Sequence, residues 1–99
     1  MRKISMAAAL AMATLPALAQ EGPAARSLAA TCANCHGTDG RSVTQEVAPL
    51  AGLSREHIVA QMKAFRDGSR QATVMHQIAK GYSDEQIALL ADYFSRRPK

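Results

Sequence analysis

The sequence has no tryptophan, and it has few aromatic residues and only two cysteines among its 99 residues. The aromatics that it does have, Phe65, Tyr82, Tyr93 and Phe94, all lie in the C-terminal half. A chain this short buries a thin core and often needs a disulfide, a metal or a cofactor for stability. A large bound cofactor would explain how a core with so few aromatics holds together.

The sequence also lacks a basic cluster interleaved with aromatic residues, so nucleic-acid binding has little support. Its formal net charge is +4, but Arg2 and Lys3 sit at the extreme N-terminus. Without those two residues, ten basic and eight acidic residues remain. The rest of the chain is therefore close to neutral, and strong attraction to a polyanion is not expected.

No apolar run is long enough for a comfortable membrane span. The longest, residues 4–15, is followed at once by Pro16 and is too short to cross ~30 Å of hydrocarbon comfortably. Two basic residues precede it and the small-residue run 17–19 follows it, which is the pattern of a secretory signal peptide. We predict that residues 1–19 are cleaved after Ala19. Residues 20–99 would then form one exported, periplasmic domain without a membrane span.

The periodicity after the signal region predicts an all-α fold. A helix over residues 24–31 should continue into the cysteine motif, and residues 37–52 read as an irregular loop. Ser54 is a good N-cap for a helix that ends near Asp67. A short helix is expected over residues 76–80. Ser83 then opens a final helix with a capping-box sequence.

The two cysteines occur in the sequence CANCH, residues 32–36. A zinc site needs more ligands than this motif can place around one ion, and no second cysteine pair is present. A thioredoxin-like dithiol needs a βαβ context, which the sequence lacks. The C-x-x-C-H spacing is the signature of covalent haem attachment, with Cys32 and Cys35 as thioether anchors and His36 as an iron ligand. We therefore predict one haem c.

A six-coordinate haem iron needs a second axial ligand. Met75 follows an irregular segment and precedes a short helix, so it is the preferred candidate. His76 and Met62 are the alternatives, and an open sixth position stays possible; Met62 is also a reasonable core residue. The ring of His36 needs an acceptor for its second nitrogen, and the carbonyl of Pro49 is a plausible source.

These motifs resemble those of the small bacterial class I cytochromes c over nearly the whole chain after the signal region. The resemblance rests on the CANCH anchor with its flanking residues, on the segment 49–53, on Met75 and on the C-terminal run 91–94. It implies a fold of about four helices around one haem, in which the C-terminal helix crosses the N-terminal one. It also implies that the carbonyl of Pro49 accepts a hydrogen bond from His36.

Within that family, the runs 61–70 and 73–75 look most similar to cytochrome subunits of sulfide dehydrogenase, also called flavocytochrome c. That resemblance implies an FAD-containing partner that oxidises sulfide, with this chain as its electron acceptor. The alternative is a freely diffusing respiratory carrier. A haem enzyme or gas sensor would need an open sixth position, which Met75 disfavours. The expected chemistry is one-electron transfer, with no further active site on this chain.

Overall fold

The computed structural model describes residue 3, residues 7–11 and residues 22–99. Within these residues the chain forms four α-helices and one 3₁₀ turn, and no strand. The helices are α1 (Pro23–His36), α2 (Arg55–Asp67), α3 (Met75–Ala79) and α4 (Asp84–Ser95), and the 3₁₀ turn is Thr38–Gly40. The all-α prediction is confirmed. The predicted cleavage after Ala19 falls outside the described residues and stays a prediction.

No helix in this part of the chain is both long enough and apolar enough to span a membrane. The helix ends follow the local signals in the sequence. The Ser54 hydroxyl accepts from the His57 amide at 3.1 Å and caps α2. At the start of α4, Ser83 and Gln86 form the predicted reciprocal capping box. Helix α3 begins one residue earlier than expected, at Met75.

Helix α4 holds the fold together because it packs against both α1 and α2, while α3 packs against α2. The predicted packing of the last helix on the first is confirmed. Half of the ten buried apolar side chains in the described part are alanines, and Ile87 is the largest that is completely buried. The alanines are Ala25, Ala29, Ala51, Ala79 and Ala91. Small side chains let the helices approach closely but bury little apolar area each.

At Gly40 the backbone is approached closely by two other parts of the chain. Its φ is +77°, and a Cβ there would lie 2.8 Å from the Ala51 nitrogen and 2.9 Å from the Phe94 ring. We expect Gly40→Ala to lower the free energy of unfolding by about 3 kcal/mol, because it combines backbone strain with overpacking. Denaturant unfolding of the cofactor-loaded protein measures this.

Gly68 provides the matched control for that substitution. Its φ is +84°, but a Cβ there would have nothing within 4 Å. Gly68→Ala therefore carries only the backbone strain, about 1 kcal/mol. Equal losses of stability in the two variants would show that packing around Gly40 contributes nothing.

Candidate cofactor site

The C-terminal end of α1 carries the three residues of the motif. Cys35 lies three positions after Cys32 and His36 lies four positions after it, all within the helix Pro23–His36. Residues three and four apart lie on one face of an α-helix. Both thiols are free, with Cys35 exposed and Cys32 half-buried. The helix therefore presents two thiols and one imidazole side by side, ready for one ligand.

The chain reverses immediately after His36. Gly37 has a φ of +83° and its amide donates to the Ala33 carbonyl at 3.1 Å, which ends the helix. The 3₁₀ turn follows, and the Gly40 carbonyl accepts from the amides of Leu50 at 2.8 Å and Ala51 at 3.1 Å. These two bonds close the base of the loop 41–49. The closed loop places residue 48 beside the motif.

The imidazole of His36 is held by this loop. Its Nδ1 lies 2.6 Å from the carbonyl oxygen of Ala48. A carbonyl can only accept, so Nδ1 carries the hydrogen in this contact. In the neutral ring Nε2 then holds the free lone pair, which is the state that a metal-ligating histidine needs. This pairing shows that the residues present fit a haem iron at Nε2.

The acceptor is therefore Ala48, not Pro49 as predicted, and the sequence argument missed it by one residue. The residue before a proline is driven into an extended conformation. Along extended backbone, successive residues face opposite sides, so the carbonyls of Ala48 and Pro49 cannot both face His36. The Ala-Pro dipeptide in the sequence marks this pair of carbonyls but does not say which of them faces the ring.

The two thiols have different surroundings. Cys32 packs against the buried core, and its Sγ lies 3.9 Å from the Leu28 carbonyl. Burial raises the pKa of the Cys32 thiol above its usual value. Cys35, near the end of the same helix, is exposed. A bound group would therefore have one edge toward the core and one edge near the surface.

The candidates for the second axial position lie on α2 and α3. Met75 is the first residue of α3 and is half-buried. His76 follows it, and its Nδ1 is buried without a hydrogen-bond partner. Met62 on α2 is partly buried against the core cluster, as expected for a core residue. The structure brings Met75 and His76 together on α3 and leaves Met62 in the packing between helices.

A cavity of about 520 Å³ opens beside α3. It is lined by Gly68, Arg70, Gln71, Ala72, Thr73 and His76, and includes none of the residues of the CANCH motif. The Arg70 guanidinium lies 4.7 Å from the centre of the Phe65 ring and also bonds the Gln61 side chain. This cavity therefore borders α3 through His76 and does not border the CANCH end of α1.

Two free thiols and an oriented imidazole at the end of one helix form the C-x-x-C-H arrangement that is typical of covalent haem attachment. The comparisons with known proteins agree. Residues 20–96 match the family model described as "Cytochrome c". The chain belongs to the cytochrome c family.

Its relatives include bacterial cytochromes of several roles. The chain is 39% identical to the cytochrome subunit of sulfide dehydrogenase of Chlorobaculum tepidum, over 94% of each sequence. It is also 39% identical to the thiosulfate dehydrogenase electron acceptor of Thiomonas intermedia, over 94% of this chain but 45% of that protein. The solved structure of Acidithiobacillus ferrooxidans cytochrome c4 aligns with a TM-score of 0.66 at 30% identity, covering 74% of this chain and 49% of that one.

The family assignment settles the cofactor and the general activity. The protein carries haem c, covalently attached, and Cys32 and Cys35 supply the thiols. Haem supplies the group that gains and loses one electron, and the protein binds the haem, orients it and sets its surroundings. The chain is therefore an electron-transfer protein, and α1 with the loop closed by Gly40 is its anchor region.

Proposed function

We propose that His36, through Nε2, and Met75, through its sulfur, are the two axial ligands of the haem iron. The Ala48 contact that leaves the lone pair on Nε2 supports the first ligand. The half-buried position of Met75 at the start of α3 supports the second. With both positions filled, the protein has no open iron site for a substrate. Its activity is then one-electron transfer alone, at the raised potential that a thioether ligand gives.

We further propose that this cytochrome works in the periplasm as the electron-accepting subunit of a sulfide-oxidising flavoprotein. The observation that carries this proposal is the match to the cytochrome subunit of a sulfide dehydrogenase across 94% of both sequences. A match of that extent leaves no large segment of the relative without a counterpart in this chain. The proposed partner is an FAD-containing subunit.

The balance of electrons gives this proposal a measurable stoichiometry. Oxidation of HS⁻ to zero-valent sulfur releases one proton and two electrons. One haem accepts one electron, so each sulfide should reduce two molecules of the cytochrome. The flavin of the partner would take the pair and pass the electrons on singly.

A freely diffusing carrier is the second candidate. Its support is the 39% identity to an electron acceptor of thiosulfate dehydrogenase, although this chain spans less than half of that protein. A carrier would use the same haem site and would hold no flavoprotein permanently. The two candidates therefore differ in the partner and not in the ligands.

Gentle purification of the native protein at low salt distinguishes them. The absorption spectrum is recorded for flavin beside haem, and sulfide is then added without oxygen. Flavin in a fixed ratio, with two haems reduced per sulfide, supports the flavocytochrome subunit. Haem without flavin, reduced only after a separate donor protein is supplied, establishes the mobile carrier.

A further inference from the structure

Tyr82 lies in the short connection between α3 and α4. Helix α3 ends at Ala79, Ser83 caps α4, and the Tyr82 amide donates to the Ala79 carbonyl at 3.2 Å. The ring is partly buried against the core cluster. Tyr82 therefore lies three positions after the last residue of the helix that begins with Met75.

The hydroxyl of Tyr82 reaches the anchor helix. It lies 3.1 Å from the Thr31 hydroxyl oxygen, and Thr31 directly precedes Cys32. The Thr31 hydroxyl itself donates to the Leu28 carbonyl at 2.7 Å. A hydroxyl has one hydrogen, so Thr31 must accept from Tyr82. The chain of bonds thus runs from Tyr82 through Thr31 to the backbone of α1.

The other end of Tyr82 is held by α2. Arg66 donates through Nη1 to the Tyr82 carbonyl at 3.3 Å and through Nη2 to the Asp84 carboxylate at 2.6 Å. The Arg66 side chain is 30% exposed. The guanidinium holds the pKa of Asp84 below its usual value. Tyr82 is therefore held at its carbonyl by α2 and at its hydroxyl by α1.

This double attachment joins two halves of the fold. Helix α1 packs on α4 and on the 3₁₀ turn, whereas α3 packs on α2. The Tyr82–Thr31 bond gives a direct link between the segment that follows α3 and the helix that carries the cysteines. Sequence reasoning missed it because the two residues are 51 positions apart.

We propose that Tyr82 is a positioning residue, which fixes α3 relative to the anchor helix and so keeps Met75 on the iron. The proposal rests on the Met75 ligation proposed above. Loss of the Tyr82–Thr31 hydrogen bond should raise the fraction of molecules in which Met75 has dissociated from the iron. An added ligand such as imidazole binds only those molecules, so its apparent affinity reports that fraction.

Tyr82→Phe keeps the ring and removes only the donor. We expect imidazole to bind the oxidised, haem-loaded variant about fivefold more tightly, the effect of one net hydrogen bond. The progress of the titration is measured by the decrease of the methionine-to-iron charge-transfer band as imidazole is added. Thr31→Val removes the acceptor and should give the same tightening. The double variant should bind imidazole no more tightly than either single one, because both changes break one bond.

Tyr93→Phe is the matched control. Its hydroxyl donates to the Asp39 carboxylate at 2.8 Å, between α4 and the 3₁₀ turn, and does not involve α3. That bond helps to raise the pKa of Tyr93. The variant should lower the denaturation midpoint but leave the imidazole affinity within about twofold.

The outcomes separate this proposal from the ligand assignment. A charge-transfer band in the unmutated protein, with equal imidazole affinities for Tyr82→Phe and Tyr93→Phe, would overturn the positioning role alone. Absence of the band from the unmutated protein would overturn the Met75 assignment and the positioning role together. Selective tightening in Tyr82→Phe and Thr31→Val establishes the role.

Discussion

We expect the double substitution Cys32→Ala and Cys35→Ala to abolish covalently retained haem completely. Both thiols lie on the face of α1 that ends at His36, and no other cysteine is available in the sequence. Haem held by iron ligands alone dissociates when the protein is unfolded, whereas thioether bonds survive. The measurement is haem staining of the denatured polypeptide after electrophoresis.

The single variants refine this test. Cys35→Ala leaves the half-buried Cys32 as one anchor, and Cys32→Ala leaves the exposed Cys35. Where the remaining thiol still reacts with haem, each single variant should retain haem through one thioether bond and show a shifted absorption spectrum. Haem that stays with the denatured double variant would show that the anchor has been assigned to the wrong residues.

The second large effect is expected from Met75→Ala. The oxidised variant should lose the methionine-to-iron charge-transfer band and bind imidazole at the freed position, and the reduced variant should bind carbon monoxide there. Its reduction potential should fall by on the order of 0.2 V, since a thioether ligand favours the reduced iron. Visible spectroscopy and a redox titration measure both changes.

Met62→Leu is the control for the methionine assignment. Met62 packs partly buried against the core cluster, so the substitution should keep the band and lower the free energy of unfolding by less than about 1.5 kcal/mol. His76→Ala tests the other candidate on α3. A band that survives Met75→Ala but disappears in Met62→Leu, or a sixth ligand that is lost in His76→Ala, contradicts the assignment of Met75.

The parts of this protein that could be predicted from sequence are the ones determined by near neighbours. The cap by Ser54 and the capping box at Ser83 each join residues three positions apart, and both are present. The CANCH spacing is equally local, because it needs only one helix to bring its thiols and imidazole to one face.

The parts that could not be predicted depend on contacts across the chain. The His36–Ala48 bond joins residues 12 positions apart, and its acceptor depends on which carbonyl of the loop faces the ring. The Tyr82–Thr31 bond depends on how α3 sits relative to α1. Arg66 likewise bonds the Tyr82 carbonyl and the Asp84 carboxylate, 16 and 18 positions further along the chain.

The alanine-rich core has a consequence for how much of this protein a cell contains. Alanines lose no side-chain entropy on burial, but five of them contribute little to the free energy of folding. We infer that a newly made chain without haem stays unfolded and is degraded by proteases, while a loaded chain resists them. The steady-state amount of the cytochrome would then follow haem supply even when its synthesis is constant. Pulse-chase labelling of haem-starved cells tests this, and an unloaded chain that lasts as long as the loaded one would refute it.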